Sequence, residues 1–401
     1  MKYNFDKITP RRNTNSCKWD SAGDDAVLPM WVADMDFVTA PPIIETLIQR
    51  AQHGIFGYTK IPNAYYDAVI SWFSKRHNFE VQKSWILYTT GVMPAISAII
   101  QALTATGDKV IIQSPVYNCF YPVISDNGRE IISNDLFYKD GTYNLDFAGL
   151  EKITADPKAK LLLLCHPHNP VGRVWTRKEL ETIGDICLRN QVIVVSDEIH
   201  CDFVYLGHQH IPFASINSDF LYHSVTCTSP SKTFNIAGLQ TANIFAADSN
   251  IRERIGKVLI TNRVAEINSF GVEGLIAAYN EGEDWLQELL IYLYGNYQYL
   301  KEFLDINLPQ LKVLSLQATY LVWIDCSALQ QSSKEISGIL LNKGKLWLNE
   351  GVMYGANGNH FMRINIACSR PLLSEGLKRM KQVLSPLFNS IIDIKGRNYL
   401  F

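Results

Sequence analysis

One lysine of this sequence lies in a short run of hydroxyl residues. The motif TSPSKTF (residues 228–234) contains Lys232 and follows an apolar segment that is typical of a strand. A lysine that bonds covalently to a carbonyl cofactor must stand at the mouth of a site, beside hydroxyls that can accept the phosphate of that cofactor. Ser229 is placed for the hydroxyl role. Since a lysine after a strand is more often a solvated loop charge, the assignment depends on other motifs.

A carboxylate at the end of another predicted strand could serve the same cofactor. Asp197 lies in SDEIH (196–200), directly after the apolar run 191–195. A strand-end carboxylate can pair with a protonated ring nitrogen and thereby make the ring an electron sink. An isolated aspartate in this position more often caps a helix or forms a structural ion pair.

Three further motifs follow predicted strands and offer groups that suit a phosphorylated aromatic ligand. HPHNPVGR (166–173) is rich in turn formers and could present the Asn169 amide to a phenolic oxygen. TTGVMP (89–94) precedes a predicted helix at 94–103, and Gly91 would let a phosphate approach the free N–H groups at its start. SPVY (114–117) ends in Tyr117, whose ring could stack on a cofactor, although core packing is the commoner fate of a tyrosine.

The segments that position these motifs alternate between strand-like and helix-like patterns. Short apolar runs are separated by amphipathic stretches, and the runs lie at 109–114, 159–165, 191–196 and 223–228. Continuous apolar strands between helices are typical of a parallel sheet that is covered on both faces. The sequence therefore predicts a doubly wound α/β domain, whose ligand site lies at the carboxyl ends of the strands.

The C-terminal part has a different pattern. A long amphipathic helix is predicted at 284–304, followed by strands at 320–324 and 361–367 and a last helix around 373–387. We predict a large α/β domain of residues 49–283 and a smaller α+β domain formed by 1–48 and 284–401.

Composition argues against several classes of protein. Hydrophobic residues make up 47% and charged residues 19%, which is typical of a globular enzyme. A net charge of −2 gives no basis for nucleic-acid binding, and no run of about eighteen apolar residues predicts a membrane span. The polar, basic start at 1–20 does not resemble a secretory signal. The eight cysteines form no C-x-x-C pair, so we predict no metal site and free thiols in a reducing cytoplasm.

In order and spacing, the five motifs resemble those of the fold-type I pyridoxal-phosphate (PLP) enzymes, the aspartate-aminotransferase-like superfamily. Three more segments resemble the MalY/PatB group, the branch of cystathionine β-lyases and cysteine-S-conjugate β-lyases; they are LPMWVADMDF (28–37), FGY (56–58) and FMRINIA (361–367). The likeness extends over residues 3–390. It implies an α/β/α domain with a mainly parallel sheet plus a smaller α+β domain.

The resemblance implies roles around the cofactor ring. Lys232 would bind PLP covalently and later carry a proton. Asp197 would bind the pyridine nitrogen, and Tyr117 would stack on the ring. Asn169 and His200 would approach the side of the phenolic oxygen.

The resemblance also implies how the phosphate is held. Gly91, Val92 and Ser229 would bind it, and Tyr58 would reach it from the second subunit of a homodimer with shared active sites. Many aminotransferases have an arginine eight positions after the lysine that neutralises the phosphate, and this chain has Gln240 there. That difference favours the lyase branch.

The implied substrate is an amino acid. Arg363 would bind its α-carboxylate as a two-pronged fork, and the Ala33 backbone would line the same pocket. The implied reaction is β-elimination of cystathionine or another S-substituted cysteine to a thiol, pyruvate and ammonia, because a thiolate leaves readily. Two alternatives remain open here: a class I/II aminotransferase, and a regulatory PLP protein that acts through a protein partner. The physiological thioether and the pathway are not predicted.

Overall fold

A computed structural model describes residues 2–397 of the chain, with the backbone alone for 389–397. The described strands are β1 Leu28–Pro29, β2 Ile86–Thr89, β3 Lys109–Ile112, β4 Glu130–Ser133, β5 Phe137–Lys139, β6 Thr142–Asn144, β7 Ala159–Cys165, β8 Ile193–Asp197, β9 Ser224–Thr228, β10 Ala242–Phe245, β11 Lys312–Val313, β12 Leu321–Asp325, β13 Leu346–Trp347, β14 Asn349–Glu350 and β15 Phe361–Asn365.

The described α-helices are α1 Cys17–Asp20, α2 Pro41–His53, α3 Asn63–His77, α4 Val92–Leu103, α5 Phe120–Ser125, α6 Phe147–Thr154, α7 Arg177–Arg189, α8 Ser218–Tyr222, α9 Pro230–Thr233, α10 Ser249–Thr261, α11 Ser269–Glu281, α12 Glu283–Asn307, α13 Ser333–Gly344 and α14 Arg370–Arg397. Within residues 2–397, none of these helices combines the length and the apolar character that crossing a membrane requires.

A seven-stranded sheet carries the motifs identified in the sequence. Its strand order is β2-β10-β9-β8-β7-β3-β4. The five strands from β9 to β4 are parallel, and β10 runs antiparallel to both of its neighbours. The predicted strand at 159–165 is β7 itself, and its leucines are buried because helices cover both faces of the sheet.

The direction of the strands brings the motifs to one edge. β7, β8 and β9 end at Cys165, Asp197 and Thr228, immediately before or within three of the motifs. Because β10 is antiparallel to both β9 and β2, β2 has the same direction as β9, and its last residue, Thr89, lies at the same edge. The carboxyl ends of these strands therefore form one rim, which is where ligands bind in such sheets.

Helix starts place backbone N–H groups at this rim. α4 begins at Val92, two residues before the predicted start, with Gly91 as its N-cap. Its apolar residues are buried against the sheet, so the position of its first turn is fixed by packing. α7 begins with a capping box in which the Thr176 hydroxyl accepts from the Glu179 N–H and the Glu179 carboxylate accepts from the Thr176 N–H.

The C-terminal part forms a second sheet, of order β11-β12-β15-β14 and antiparallel throughout. The N-terminal segment contacts this part of the chain, since β1 pairs in parallel with β13 in a separate two-stranded sheet and the Asn365 N–H donates to the Met30 carbonyl over 2.9 Å. Strand β15 thereby brings Arg363 towards the residues that follow β1. The division at residues 49 and 283 stays a prediction.

Candidate active site

A cavity of ≈ 230 Å³ opens at the rim of the seven-stranded sheet. Eight of the residues predicted from the sequence line it: Ala33, Gly91, Val92, Tyr117, Asn169, Asp197, His200 and Lys232. The sequence analysis missed six further lining residues, which are Met93, Pro94, Cys165, Ile199, Ser231 and Ala237. Four of these lie within the quoted motifs but were given no role, and Ser231 could have been found because it directly precedes the lysine.

Lys232 lies on the short helix α9, which Ser229 caps. Its Nζ donates to the Ala33 carbonyl oxygen over 2.7 Å. Burial lowers the pKa of Lys232, the nearby Arg363 lowers it further, and the carboxylates of Asp34 and Asp197 oppose the shift. A lowered pKa makes the neutral amine more accessible, as a nucleophile or a base requires.

Asp197 ends β8 with its carboxylate at the cavity. One oxygen, Oδ1, accepts from the Ile199 N–H over 3.1 Å. Burial raises the pKa of Asp197 to about 7, and the charge of the adjacent Glu198 contributes to the rise. A protonated ring nitrogen beside this carboxylate would compensate the cost of burial and favour the ionised form.

Asp197 gives the cofactor-free protein a testable pH dependence. Its folded-state pKa of about 7 lies above the ordinary value of 3.8, so the folded state binds the proton more tightly. The stabilisation from that proton is complete below about pH 4 and is lost as the pH rises through about 7. In urea unfolding of the cofactor-free protein, the free energy of unfolding should fall with pH more steeply in the wild type than in Asp197→Asn. Parallel pH profiles would contradict the raised pKa.

Three residues surround the space between Asp197 and Lys232. The side-chain oxygen of Asn169 accepts from Arg363 Nη1 over 3.0 Å, so its amide nitrogen is the group that can donate to a ligand. The His200 Nδ1 is buried and has no hydrogen-bond partner within the described part of the chain. Tyr117 lies edge-on to Phe120 and is mostly buried, and this burial raises its pKa. All three could contact an aromatic ring in the cavity.

The predicted phosphate-binding residues differ in their position relative to the cavity. Gly91 and Val92 line the cavity at the start of α4. The Ser229 hydroxyl donates to the Thr241 carbonyl over 2.7 Å and accepts from the Ser231 N–H over 3.0 Å, so it lies beside the cavity and Ser231 lines it. Tyr58 is fully exposed, so its ring does not pack within its own subunit.

Arg363 is buried next to the cavity, with 3% of its surface exposed. Nη2 donates to the Trp31 carbonyl over 2.8 Å and Nη1 to Asn169, while the buried Nε has no partner among residues 2–397. The guanidinium also lies over the Tyr354 ring, 4.9 Å from its centroid. A buried guanidinium with an unused N–H is suited to a carboxylate.

The donor set of this cavity fits PLP. It offers an amine of lowered pKa, a carboxylate for the ring nitrogen and the N-terminus of α4 for the phosphate. The unpartnered Nδ1 of His200 is a further polar group that a bound ligand could satisfy.

Comparisons with known proteins agree with this fit. The sequence profile described as aminotransferase class I and II matches residues 27–380. The chain is 46% identical to the cystathionine beta-lyase PatB of Bacillus subtilis, over 95% of this chain and 100% of that protein. It is 35% identical to the protein MalY of Escherichia coli, over 94% and 97% of the two chains. The crystal structure of the PLP-bound C-S lyase from Staphylococcus hominis has a TM-score of 0.89 and 33% identity, and the match covers 95% of this chain and 98% of that one.

Proposed function

The chain belongs to the class I and II aminotransferase family, and we propose that it is a PLP-dependent C–S β-lyase of that family. Its substrates are cystathionine or other S-substituted cysteines, and its products are a thiol, pyruvate and ammonia. The observation that carries this function is the presence of Lys232 and Asp197 in one cavity, with Arg363 bonded to its lining. The 46% identity to a cystathionine beta-lyase supports the lyase over the aminotransferase alternative.

Different residues of the chain carry out different steps of the reaction. When bound, PLP supplies an electron sink for the α-carbon of the amino acid. Arg363 holds the α-carboxylate, and Asp197 stabilises the positive charge on the ring nitrogen. Lys232 removes the α-proton and holds it on Nζ, next to the Ala33 carbonyl. The C–S bond then breaks with its electron pair on sulfur, and the proton held on Nζ passes to the leaving thiolate. Water converts the remaining unsaturated amine into pyruvate and ammonia.

The proposal includes the phosphate contacts. The first N–H groups of α4, at Gly91 and Val92, bind the phosphate together with the hydroxyl-rich turn that contains Ser229. Gln240 has no positive charge to contribute. The phosphate can therefore accept a further hydrogen bond, and the hydroxyl of Tyr58 from a second subunit donates it.

The homodimer is supported by the segment that carries Tyr58. Ile55 and Phe56 are 67% and 58% exposed, and Tyr58 is fully exposed, so several large side chains of one short segment face outwards. Phe56 is stacked on Phe270 of its own chain, with a ring separation of 5.6 Å, which anchors the segment. An apolar face of this kind is typical of an interface with another subunit.

A subunit-mixing experiment tests the shared site. Lys232→Ala and Tyr58→Ala proteins should each have little activity, and their mixture should regain part of it, because a hybrid dimer has one site with both changes and one with neither. Activity is measured as pyruvate release after dissociation and reassociation of the two proteins. A mixture that gains nothing, or an active monomer in sedimentation, would show that the site is not shared.

The reaction type is tested by omitting any keto-acid acceptor. The holoenzyme should release pyruvate and thiol in equal amounts from cystathionine through many turnovers, because elimination regenerates the starting enzyme. An aminotransferase would stop after one turnover unless a keto acid is added. A panel of S-substituted cysteines in the same assay ranks the substrates, and a pull-down with and without PLP tests the regulatory alternative.

We also propose a cytoplasmic location. None of the eight cysteines is in a disulfide, and six of them are buried as free thiols. Free thiols are typical of proteins in a reducing compartment.

A further inference from the structure

The end of β8 and the turn that follows it carry both cavity-lining residues and a buried carboxylate outside the lining. Asp197, Ile199 and His200 line the cavity. Asp202, at the end of the same turn, is not part of the cavity lining and is buried, with 2% of its surface exposed. The buried carboxylate of Asp202 is therefore only two residues after the cavity-lining His200.

Asp202 accepts hydrogen bonds from two other elements. On α3, Trp72 Nε1 donates to Oδ1 over 3.2 Å, Arg76 Nε lies 3.0 Å from it and His77 Nε2 lies 2.9 Å from it. On α9, the Thr233 hydroxyl donates to Oδ2 over 2.6 Å. Thr233 is fully buried and directly follows Lys232.

Hydrogen bonds and charge keep this carboxylate ionised. Burial by itself favours the neutral acid, but hydrogen bonds and charge from His77, Arg76 and Thr233 hold the pKa of Asp202 well below its usual range. Hydrogen bonds to a buried charge are among the stronger ones in proteins and fix geometry accordingly.

The same cluster is a poor metal site. The ligand atoms of His77, Cys201 and Asp202 lie within 4.8 Å of one another, which would suit an ion. However, the guanidinium of Arg76 is already at the Asp202 oxygen, and burial raises the pKa of Cys201, which disfavours the thiolate that binds metals. The cluster is a hydrogen-bonding centre.

We propose that Asp202 is a positioning residue for the cofactor lysine. Through the Thr233 hydroxyl, Asp202 fixes the position of helix α9, which carries Lys232. Through the turn between β8 and Asp202, it fixes the position of Asp197. One carboxylate therefore sets the distance between the two residues that bind opposite ends of the PLP ring system. The inference rests on the proposed function, because it requires that Lys232 carries PLP.

Removing the Thr233 hydroxyl tests this link in the holoenzyme. Thr233→Val keeps the side-chain shape but loses the bond to Asp202. We expect PLP to dissociate about 10-fold faster and kcat to fall about 10-fold, the scale of one hydrogen bond to a charged group. The visible circular dichroism of bound PLP should change, KM should stay nearly constant, and Thr233→Ser should restore all of these. Asp202→Asn is less informative, since it also breaks the contacts with α3.

Thr154→Val is the matched control. Thr154 is also a buried threonine, and its hydroxyl bonds the Leu150 carbonyl over 2.9 Å, outside the cavity lining. This variant should keep the wild-type dichroism and PLP release. Wild-type values in Thr233→Val, equal changes in Thr154→Val, or no rescue by serine would each overturn the positioning role. Borohydride labelling of Lys232 in the same samples separates these results from a failure of the proposed function.

Discussion

Replacing Lys232 with alanine should reduce pyruvate release from cystathionine by about 10⁴-fold or more, because one change removes the covalent attachment of PLP and the base for the α-proton. The reason is structural: Nζ lies at the cavity, is held by the Ala33 carbonyl and has a pKa lowered by burial. Turnover is measured with saturating PLP, and far-UV circular dichroism and thermal unfolding check that the variant folds.

A surface lysine provides the control for this loss. Lys178 is exposed at the start of α7, so Lys178→Ala should retain normal turnover. If Lys232→Ala kept more than a few per cent of wild-type turnover, another base would have to carry out the proton transfer and the proposed mechanism would be wrong.

Replacing Asp197 with asparagine should lower kcat by about 10³-fold or more, the loss of several kcal/mol of transition-state stabilisation. Asparagine has nearly the same shape but no charge, so the ring nitrogen loses the partner that keeps it protonated. The measurement is kcat for pyruvate release by the PLP-saturated variant.

Asp325 offers a matched control for the aspartate substitution. Its carboxylate is also buried, with 5% of the residue exposed, and it contacts Tyr138 and the Ser327 N–H outside the cavity lining. Asp325→Asn should therefore change stability more than kcat. Near-normal turnover of Asp197→Asn would show that this carboxylate does not contact the ring nitrogen.

Much of the large domain could be predicted because its signals are local. β7 is a continuous apolar run, and the residues just after β7, β8 and β9 carry turn formers and polar groups. In a parallel sheet such strand ends meet at one edge, so a local pattern predicts a spatial cluster. β2 and β10 were missed, since four-residue strands have little periodicity and the antiparallel pairing of β10 depends on distant partners.

The site was predicted less completely where contacts are long-range. The bond from Arg363 to the Trp31 carbonyl joins residues from opposite ends of the chain and was not predicted; only the family resemblance indicated that Arg363 belongs to the site. Helix capping determines which way the Ser229 hydroxyl points, and spacing along the sequence does not contain that information. Asp202 was not singled out at all, because its role follows from partners on α3 and α9.

The identity of the cofactor lysine is the central claim, and borohydride reduction tests it most directly. The purified holoenzyme should be yellow, lose that colour on reduction and gain the mass of one reduced PLP per chain. Peptide mapping should then find the added mass on Lys232 alone, and Lys232→Ala should acquire none. A label on a different lysine, or a reduced protein without added mass, would contradict the account.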